Sequence, residues 1–248
     1  MTIGSVKKMI RRGWRLLSAE YIKRYHYDAS LIASLSHVYG IPDIDFYYDK
    51  QFFSQRSPSA TVGAAALVVD VVLEHFSPRT VVDIGCGNGN FVKAFQDRGI
   101  DAWGIEGSRA ARGAAVVDPN CIRIFDLREV LRIENSADLC ICFEVLEHIG
   151  AKHADQVVAN IVGAANELLV TAAPPGQGGR YHVNEQPYQY WISKFEIHGL
   201  RFDETTTQTL RKQLDERGAL SWLADNMMAF RQSRPVEPSR HWQPDGSA

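Results

Sequence analysis

Residues 81–91 of the chain are VVDIGCGNGNF. A short β-branched run, Thr80 to Ile84, leads into three closely spaced glycines and then into Asn90 and Phe91. We predict a buried strand, a tight loop and the first turn of a helix, because glycines tolerate positive φ and close backbone approach. The start of that helix would offer N–H groups and a positive dipole end. The segment therefore predicts a loop that binds an adenosine-containing cofactor.

The glycine spacing separates two cofactor classes. A dinucleotide loop has the pattern G-x-G-x-x-G, whereas this loop is G-x-G-x-G with Asn90 at the place of the last glycine. Asp83 stands directly before the loop, where a carboxylate would repel a pyrophosphate and suit a cationic ligand. Both features disfavour a nicotinamide oxidoreductase.

Strand-like and helical runs alternate from Arg79 onward, after a predicted helix from about Ser59 to Phe76. Such alternation is typical of parallel βαβ units in a doubly wound, Rossmann-like α/β sheet with helices on both faces. A further helix and a late strand are expected at 187–198 and 226–231. The other predicted strands lie near 101–105, 121–125, 138–143 and 167–172, and the other helices near 90–98, 108–116 and 152–166.

Two more acids end predicted strands. Glu106 comes twenty-one residues after Gly85, an offset at which an acid can bond both ribose hydroxyls of a bound nucleotide. Asp126 follows the third strand, where a carboxylate can reach an adenine amino group. Ligands bind at the carboxyl ends of strands in open α/β sheets, so both acids are expected beside the glycine loop and Asp83.

A cluster of acids and histidines follows the fourth strand, as EVLEH at 144–148. If this segment turns helical, its two glutamates and its histidine share one face. The loop PPGQGGRYHVN at 174–184 could bring a second histidine across the site. Carboxylates favour Mg²⁺ or Mn²⁺, and imidazoles also admit Zn²⁺, Fe²⁺ or Co²⁺. The expected metal ligands are Glu144, Glu147, His148 and His182, and the expected catalytic residues are His148, His182 and Glu144.

With these motifs, the sequence resembles the class I S-adenosylmethionine-dependent methyltransferases over about residues 57–231. The resemblance rests on VVDIGCGNGNF, GIEGS, FDL and DLCICFEVLEHI. It implies a seven-stranded sheet whose last strand is antiparallel, and S-adenosylmethionine as the cofactor. The residues it implies at the cofactor are Asp83, Gly85, Cys86, Gly87, Glu106, Asp126, Leu127 and Phe143.

The Glu-x-x-Glu-His cluster with its distal histidine looks like the Mg²⁺ site of the small-RNA 2′-O-methyltransferases, and ubiquinone-pathway O-methyltransferases share its first part. A divalent ion can lower the pKa of an acceptor alcohol and orient a vicinal diol. A histidine can act as base, so His148 and His182 are either ligands or bases. Because an amine acceptor would need neither, the cluster favours O-methylation.

The loop from Pro174 onward resembles methyltransferases of bacterial polysaccharide and glycan biosynthesis. This implies a sugar or glycan precursor as acceptor, since sugars stack on aromatic rings. Tyr190 and Trp191 could equally be the core face of their helix. A phenolic, quinone-type acceptor and a non-catalytic, cofactor-binding adaptor are the alternatives. Aromatic and polar candidates for acceptor contacts are Tyr181, Tyr188, Tyr190, Trp191, Arg180, Asn184 and Gln186.

Charge is uneven along the 248 residues. The chain carries 27 Lys and Arg against 29 Asp and Glu, a net charge of −2. Residues 1–28 hold seven basic and two acidic side chains, a net +5, which leaves −7 for residues 29–248. An RNA substrate would need a basic channel, so no nucleic-acid partner is expected.

The basic first segment predicts an amphipathic helix with the apolar stripe Val6, Ile10, Trp14, Leu17 and Tyr21. Such a helix could form a lid on the domain or contact an anionic membrane surface. We expect a helical extension or lid over 1–56, a methyltransferase domain over 57–231 and a disordered tail over 232–248. Four sparse cysteines and the lack of a signal peptide favour a cytoplasmic protein. The sequence does not indicate an oligomeric state.

Overall fold

The computed structural model describes residues 48, 52–53, 59–179 and 181–232. The predicted N-terminal amphipathic helix and all but the first residue of the predicted tail lie outside the described residues. We number the helices and strands below within the described part of the chain.

Helices and strands alternate as the sequence predicts. The helices are α1 (Ser59–Leu73), α2 (Asn90–Gln96), α3 (Arg109–Gly113), α4 (Ala154–Val162), α5 (Tyr188–Ile197), α6 (Glu204–Glu216) and α7 (Ser221–Asn226). The strands are β1 (Thr80–Ile84), β2 (Asp101–Glu106), β3 (Ile122–Ile124), β4 (Ala137–Phe143), β5 (Ala165–Thr171), β6 (Leu200–Phe202) and β7 (Met228–Gln232).

The strands form a seven-stranded sheet in the order β3-β2-β1-β4-β5-β7-β6. β1 to β5 pair in parallel, and β7 is antiparallel to both β5 and β6. β1 lies between β2 and β4, and the order in which the chain adds strands reverses at this point. The carboxyl ends of β1, β2 and β4 therefore meet at one edge, which positions the candidate site.

Two apolar cores cover the two faces of the sheet, because successive strand residues alternate between them. Val81 of β1 packs with residues of α1, α2, α6 and α7, including Phe95 and Leu210. Val82, its neighbour, packs on the opposite face with residues of α4 and α5, including Trp191. The near-continuous apolar strands of the sequence are thus explained by burial on both sides.

The structure confirms the predicted fold class and differs from the sequence prediction in the C-terminal third. β6, α6 and α7 are additional elements, and Asn226 ends α7 rather than beginning the last strand. α6 is hard to recognise because ETTTQTLRKQLDE has only Leu210 and Leu214 as an apolar stripe. Within the described residues, no helix is long and apolar enough to cross a membrane.

Candidate active site

The glycine loop follows β1 without a break. Gly85 has a φ of +80°, and its N–H donates to the carbonyl oxygen of Ile105 at 2.7 Å. A Cβ on Gly85 would lie 2.3 Å from Cγ2 of Val145, so the loop and the turn after β4 are packed directly against each other. Gly87 has a φ of +56°, and its N–H donates to Oε2 of Glu106 at 2.9 Å.

Asp83 and Glu106 place two buried carboxyl groups at this loop. Glu106 also accepts a hydrogen bond from the N–H of Ser108 at 2.8 Å, so backbone donors on both sides orient its carboxylate. Burial and the charge of Glu106 raise the pKa of Asp83 well above its ordinary value. Oδ2 of Asp83 is buried without a hydrogen-bond partner among the described residues. An ammonium group, such as that of S-adenosylmethionine, would supply the missing partner.

The remaining predicted cofactor residues lie in the loop itself and at the ends of β3 and β4. Cys86 is buried, and its Sγ would lie 2.3 Å from a Cβ on Gly104, so its thiol packs across β2. Asp126 is exposed and bonded to Arg128, whose Nη2 lies 2.6 Å from Oδ2. Burial raises the pKa of Asp126, but the hydrogen bonds and charge of Arg128 outweigh this and lower it. Leu127 and Phe143 are buried, and the ring of Phe143 meets that of Phe91 edge-on.

The turn after β4 differs from the helix considered for this segment. Glu144 has a φ of +55°, and its N–H donates to Oγ1 of Thr171 at 2.9 Å. Because its backbone stays bonded to the end of β5, the chain bends and forms only a 3₁₀ turn, Leu146–His148. The interpretation of a shared helical face is therefore wrong. The side chain of Glu144 bonds to Asn226 at 3.2 Å and to Gln177 at 3.5 Å.

Three of the four predicted ligands come together. One potential ligand atom each from Glu147, His148 and His182 lie within 4.8 Å of one another, and Glu144 is outside this group. Glu147 is fully buried, and neither of its carboxyl oxygens has a hydrogen-bond partner among the described residues. Burial and the nearby charge of Glu144 raise the pKa of Glu147 to about 9. A buried carboxyl group without hydrogen bonds fits a cation ligand, because an ion would compensate its charge.

The loop after β5 holds the cluster from the other side. The N–H groups of Val183 and Asn184 donate to the carbonyl oxygen of Glu147 at 2.9 and 3.0 Å. Nδ1 of His148 lies 3.1 Å from the carbonyl oxygen of Tyr181. Glu185 lies 2.8 Å from Nδ1 of His182; it is not among the predicted site residues, although the H-x-x-E spacing of the two side chains is visible in the sequence.

Aromatic rings line the cluster in a different way from the prediction. Trp191 is buried in the core, and Tyr190 contacts it edge-on at 4.9 Å between centroids, so the core interpretation is correct for Trp191. Tyr48 contacts the rings of His148 and Tyr181, at 5.8 and 5.9 Å between centroids. Its carbonyl oxygen accepts from Oγ of Ser108 at 2.9 Å. Tyr48 thus connects the end of β2 to the histidines, and no sequence motif marked it.

In the structure, Asp83, the glycine loop and Glu106 lie close together, as the sequence predicts. The strand order, the glycine loop and the acids at the strand ends define the fold of the class I S-adenosylmethionine-dependent methyltransferases. Residues 59–174 match the sequence model of a family described as "Methyltransferase domain". Residues 59–174 are thus similar to a methyltransferase domain, and the described strands have the class I methyltransferase fold.

Solved methyltransferases share this fold. The sugar N-methyltransferase KedS8 of Streptoalloteichus sp. superposes with a TM-score of 0.56 at 12% identity, over 74% of this chain and 92% of that one. The CcbJ methyltransferase of Streptomyces caelestis gives 0.55 at 11% identity, over 76% and 98%. The mitomycin 7-O-methyltransferase MmcR gives 0.54 at 17% identity, over 82% and 60%.

One relative is similar in sequence over a short region. The sphingolipid C9-methyltransferase A of Emericella nidulans is 33% identical over 104 residues. The match covers 36% of this chain and 19% of that protein. The chain thus spans about a fifth of the length of this curated relative.

Proposed function

We propose that the chain is an S-adenosylmethionine-dependent O-methyltransferase that methylates a hydroxyl of a sugar or glycan precursor with the help of a divalent cation. The observation that carries the proposal is the cluster of Glu147, His148 and His182. It lies on the same sheet edge as the glycine loop, and Val145 packs against Gly85 between the two.

The residues around the glycine loop are suited to hold the cofactor. Asp83 would accept the ammonium group, Glu106 the ribose hydroxyls and Asp126 the adenine amino group. Leu127 and Phe143 would supply apolar contacts. S-adenosylmethionine supplies an activated methyl group, so the chain's own residues need only align the acceptor and remove its proton.

The cluster is suited to activate an alcohol. A divalent ion, Mg²⁺ or Mn²⁺ by the preference of carboxylates, would be held by Glu147 and by one or both of the histidines. Such an ion lowers the pKa of a coordinated hydroxyl. A histidine not engaged with the ion could take the proton. An amine acceptor would need neither a metal ion nor a histidine base, so the presence of the cluster supports a hydroxyl acceptor.

The rings beside the cluster support a sugar acceptor. Tyr48 and Tyr181 meet edge-on next to His148, and aromatic faces stack on the C–H surfaces of sugars. A similarly folded protein is described as a sugar N-methyltransferase. A phenolic acceptor suits the same rings, and MmcR is described as an O-methyltransferase of mitomycin. This is the second candidate.

Cofactor binding is tested first, by calorimetry with S-adenosylhomocysteine. Glu106→Ala removes the expected ribose contacts and leaves the N–H groups of Gly87 and Ser108 without their acceptor. A hydrogen bond to a charged carboxylate contributes about 1.5–3 kcal/mol, so loss of both ribose contacts should raise the Kd on the order of 100-fold or more. Glu129→Ala, at an exposed position in the loop before β4, is the control. Unchanged affinity in Glu106→Ala would exclude the ribose assignment.

Methyl transfer is then measured with labelled cofactor and a panel of glycan precursors, phenols and amines. We expect transfer to a hydroxyl, loss of turnover on addition of EDTA, and recovery with Mg²⁺ or Mn²⁺. Turnover that is unchanged by EDTA would refute the dependence on a divalent cation. Transfer to phenols alone would support the phenolic acceptor instead of the sugar. Tight cofactor binding without transfer to any acceptor would instead favour the non-catalytic adaptor.

A further inference from the structure

Glu185 binds three donors at once, although nothing in the proposed function uses it. Its Oε1 lies 2.8 Å from Nδ1 of His182 and accepts from the N–H of Gly178 at 2.8 Å. Its Oε2 accepts from the N–H of Gly176 at 2.8 Å. The two backbone N–H groups can only donate, so both oxygens of Glu185 act as acceptors, as in a carboxylate. One carboxylate thus joins the imidazole to the loop after β5.

These bonds define the tautomer of both histidines. An ionised carboxylate can only accept a hydrogen bond, so Nδ1 of His182 must carry the hydrogen and, in the neutral ring, Nε2 the lone pair. The carbonyl oxygen of Tyr181 is likewise only an acceptor, which assigns the same tautomer to His148. The two rings lie edge-on, 4.9 Å apart between centroids. Both side chains therefore keep Nε2 as the atom able to bind a cation.

Gly179 makes room for this arrangement. A Cβ at position 179 would lie 2.2 Å from Nε2 of His182, which is far inside van der Waals contact. The imidazole is thus held against backbone on one side and bonded to Glu185 on the other. Since its side chain is only 9% exposed, few other orientations are open to it.

We propose that Glu185 is the positioning residue of His182, which it holds through the Nδ1–H bond so that Nε2 is presented as a cation ligand to the cluster with Glu147 and His148. The inference rests on the proposed function for the identity of the ligand. It extends that function by assigning His182 to the metal rather than to the role of base. A hydrogen-bonded carboxylate behind a ligating histidine fixes its ring and raises its basicity.

The tautomer is tested without metal or cofactor, by NMR of ¹⁵N-histidine-labelled protein at a pH above the ordinary imidazole pKa. The signals of His182 are assigned with a His182→Asn variant. We expect the wild-type protein to show the Nδ1–H form at His182 and Glu185→Ala to lose its predominance. Glu185→Gln, which keeps one acceptor oxygen, should retain it in part. His75, bonded to Gln213, should not change in any variant and reports an intact fold.

Metal affinity is measured on the same variants by titration with Mn²⁺ alone. Loss of an outer-shell partner typically costs about 10–100-fold in metal affinity, so Glu185→Ala should raise the Kd by that factor. Gly179→Ala, which crowds His182 from the other side, should weaken binding as well. Glu196→Ala, exposed on α5, is the matched control.

The outcomes separate the two proposals. An unchanged His182 tautomer together with Mn²⁺ affinity within threefold of the wild type in Glu185→Ala overturns the inference. A changed tautomer in a protein whose wild-type form binds no Mn²⁺ supports positioning by Glu185 and refutes the metal in the proposed function. If Glu185→Ala does not fold, Glu185→Gln and Gly179→Ala decide by the same criteria.

Discussion

The active-site edge has two ends that are built differently. The cofactor end, residues 83–91 with Glu106, follows directly from adjacent parallel strands, and its acid bonds to backbone N–H groups of short loops. The other end, the candidate metal end (residues 144–148, 174–179 and 181–186), is irregular, with positive φ at Glu144 and Tyr181. Its contacts join segments about thirty residues apart, such as His148 and Tyr181.

This difference indicates how each end should respond to change. At the cofactor end, the binding groups are also part of the sheet and its packing, so substitutions there should lower stability and affinity together. At the candidate metal end, the side chains that would bind lie in loops on the completed sheet, so substitutions should impair binding with smaller losses of stability. The following predictions test that contrast.

The largest effect is expected from Gly85→Ala. An L-residue at the φ of +80° costs about 1–2 kcal/mol. The 2.3 Å approach to Val145 adds overpacking of about 1–3 kcal/mol. We expect the free energy of unfolding in urea to fall by roughly 3 kcal/mol.

Two variants separate the causes. Gly99 has a φ of +78°, and a Cβ there would meet nothing within 4 Å, so Gly99→Ala should show the conformational cost alone. Combining Gly85→Ala with Val145→Ala should recover the overpacking part. Equal losses of unfolding free energy for Gly85→Ala and Gly99→Ala would show that the close approach of Gly85 to Val145 adds nothing to the conformational cost.

The fold could be predicted because its determinants are local. The β-branched run before Gly85 and the alternation of elements are visible without any tertiary contact. β6 and α7 were missed because they span three and six residues. The bend at Glu144 could not be predicted from helical spacing, because a hydrogen bond to Thr171 on the neighbouring strand decides it.

Asp83→Asn is expected to have a smaller effect, on the pH dependence of the free energy of unfolding. The pKa of Asp83 is raised in the folded protein by burial and then by Glu106, so the folded state binds its proton more tightly than the unfolded state. Its stabilising contribution is therefore complete below about pH 4 and is lost as pH rises toward the folded pKa. Within that window the free energy of unfolding of the ligand-free protein should fall by up to about 1.4 kcal/mol per pH unit. Asp83→Asn should remove this slope in urea titrations.

Asp138 provides a control of opposite sign. Burial raises its pKa, but the N–H groups of Arg79 and Thr80 outweigh this and lower it, so its contribution is present above about pH 4 and is lost at lower pH. Asp138→Asn should therefore destabilise the protein at neutral pH.

Asp83→Asn should also weaken the binding of S-adenosylhomocysteine, because the ammonium group of the ligand loses its counter-charge. Tighter or equal binding would contradict the assignment of Asp83.

For the site, the acids and histidines could be predicted because their residue types and their spacing are enough to indicate cofactor or metal binding. The spacing could not show which of them meet. Glu144 is outside the group of potential ligand atoms, and its side chain bonds to Asn226 and Gln177, both distant in sequence. Tyr48 carries no recognisable motif, and only the folded chain places it against His148. The H-x-x-E spacing marks Glu185 as a candidate, but its contact with His182 is visible only in the structure.

The smallest effect is expected from Tyr48, at the boundary between the two ends. Its ring contacts His148 and Tyr181, and such edge-on contacts contribute about 0.5–1.5 kcal/mol each. Tyr48→Leu should therefore raise the Kd for Mn²⁺ or the KM for the acceptor by roughly 3–10-fold. Tyr48→Phe keeps the ring and should stay close to the wild type. Because the same residue bonds to Ser108 through its backbone, S-adenosylhomocysteine affinity should change little in either variant. An equal loss of cofactor affinity in Tyr48→Leu would show that the two ends act as one site, against the contrast drawn between them.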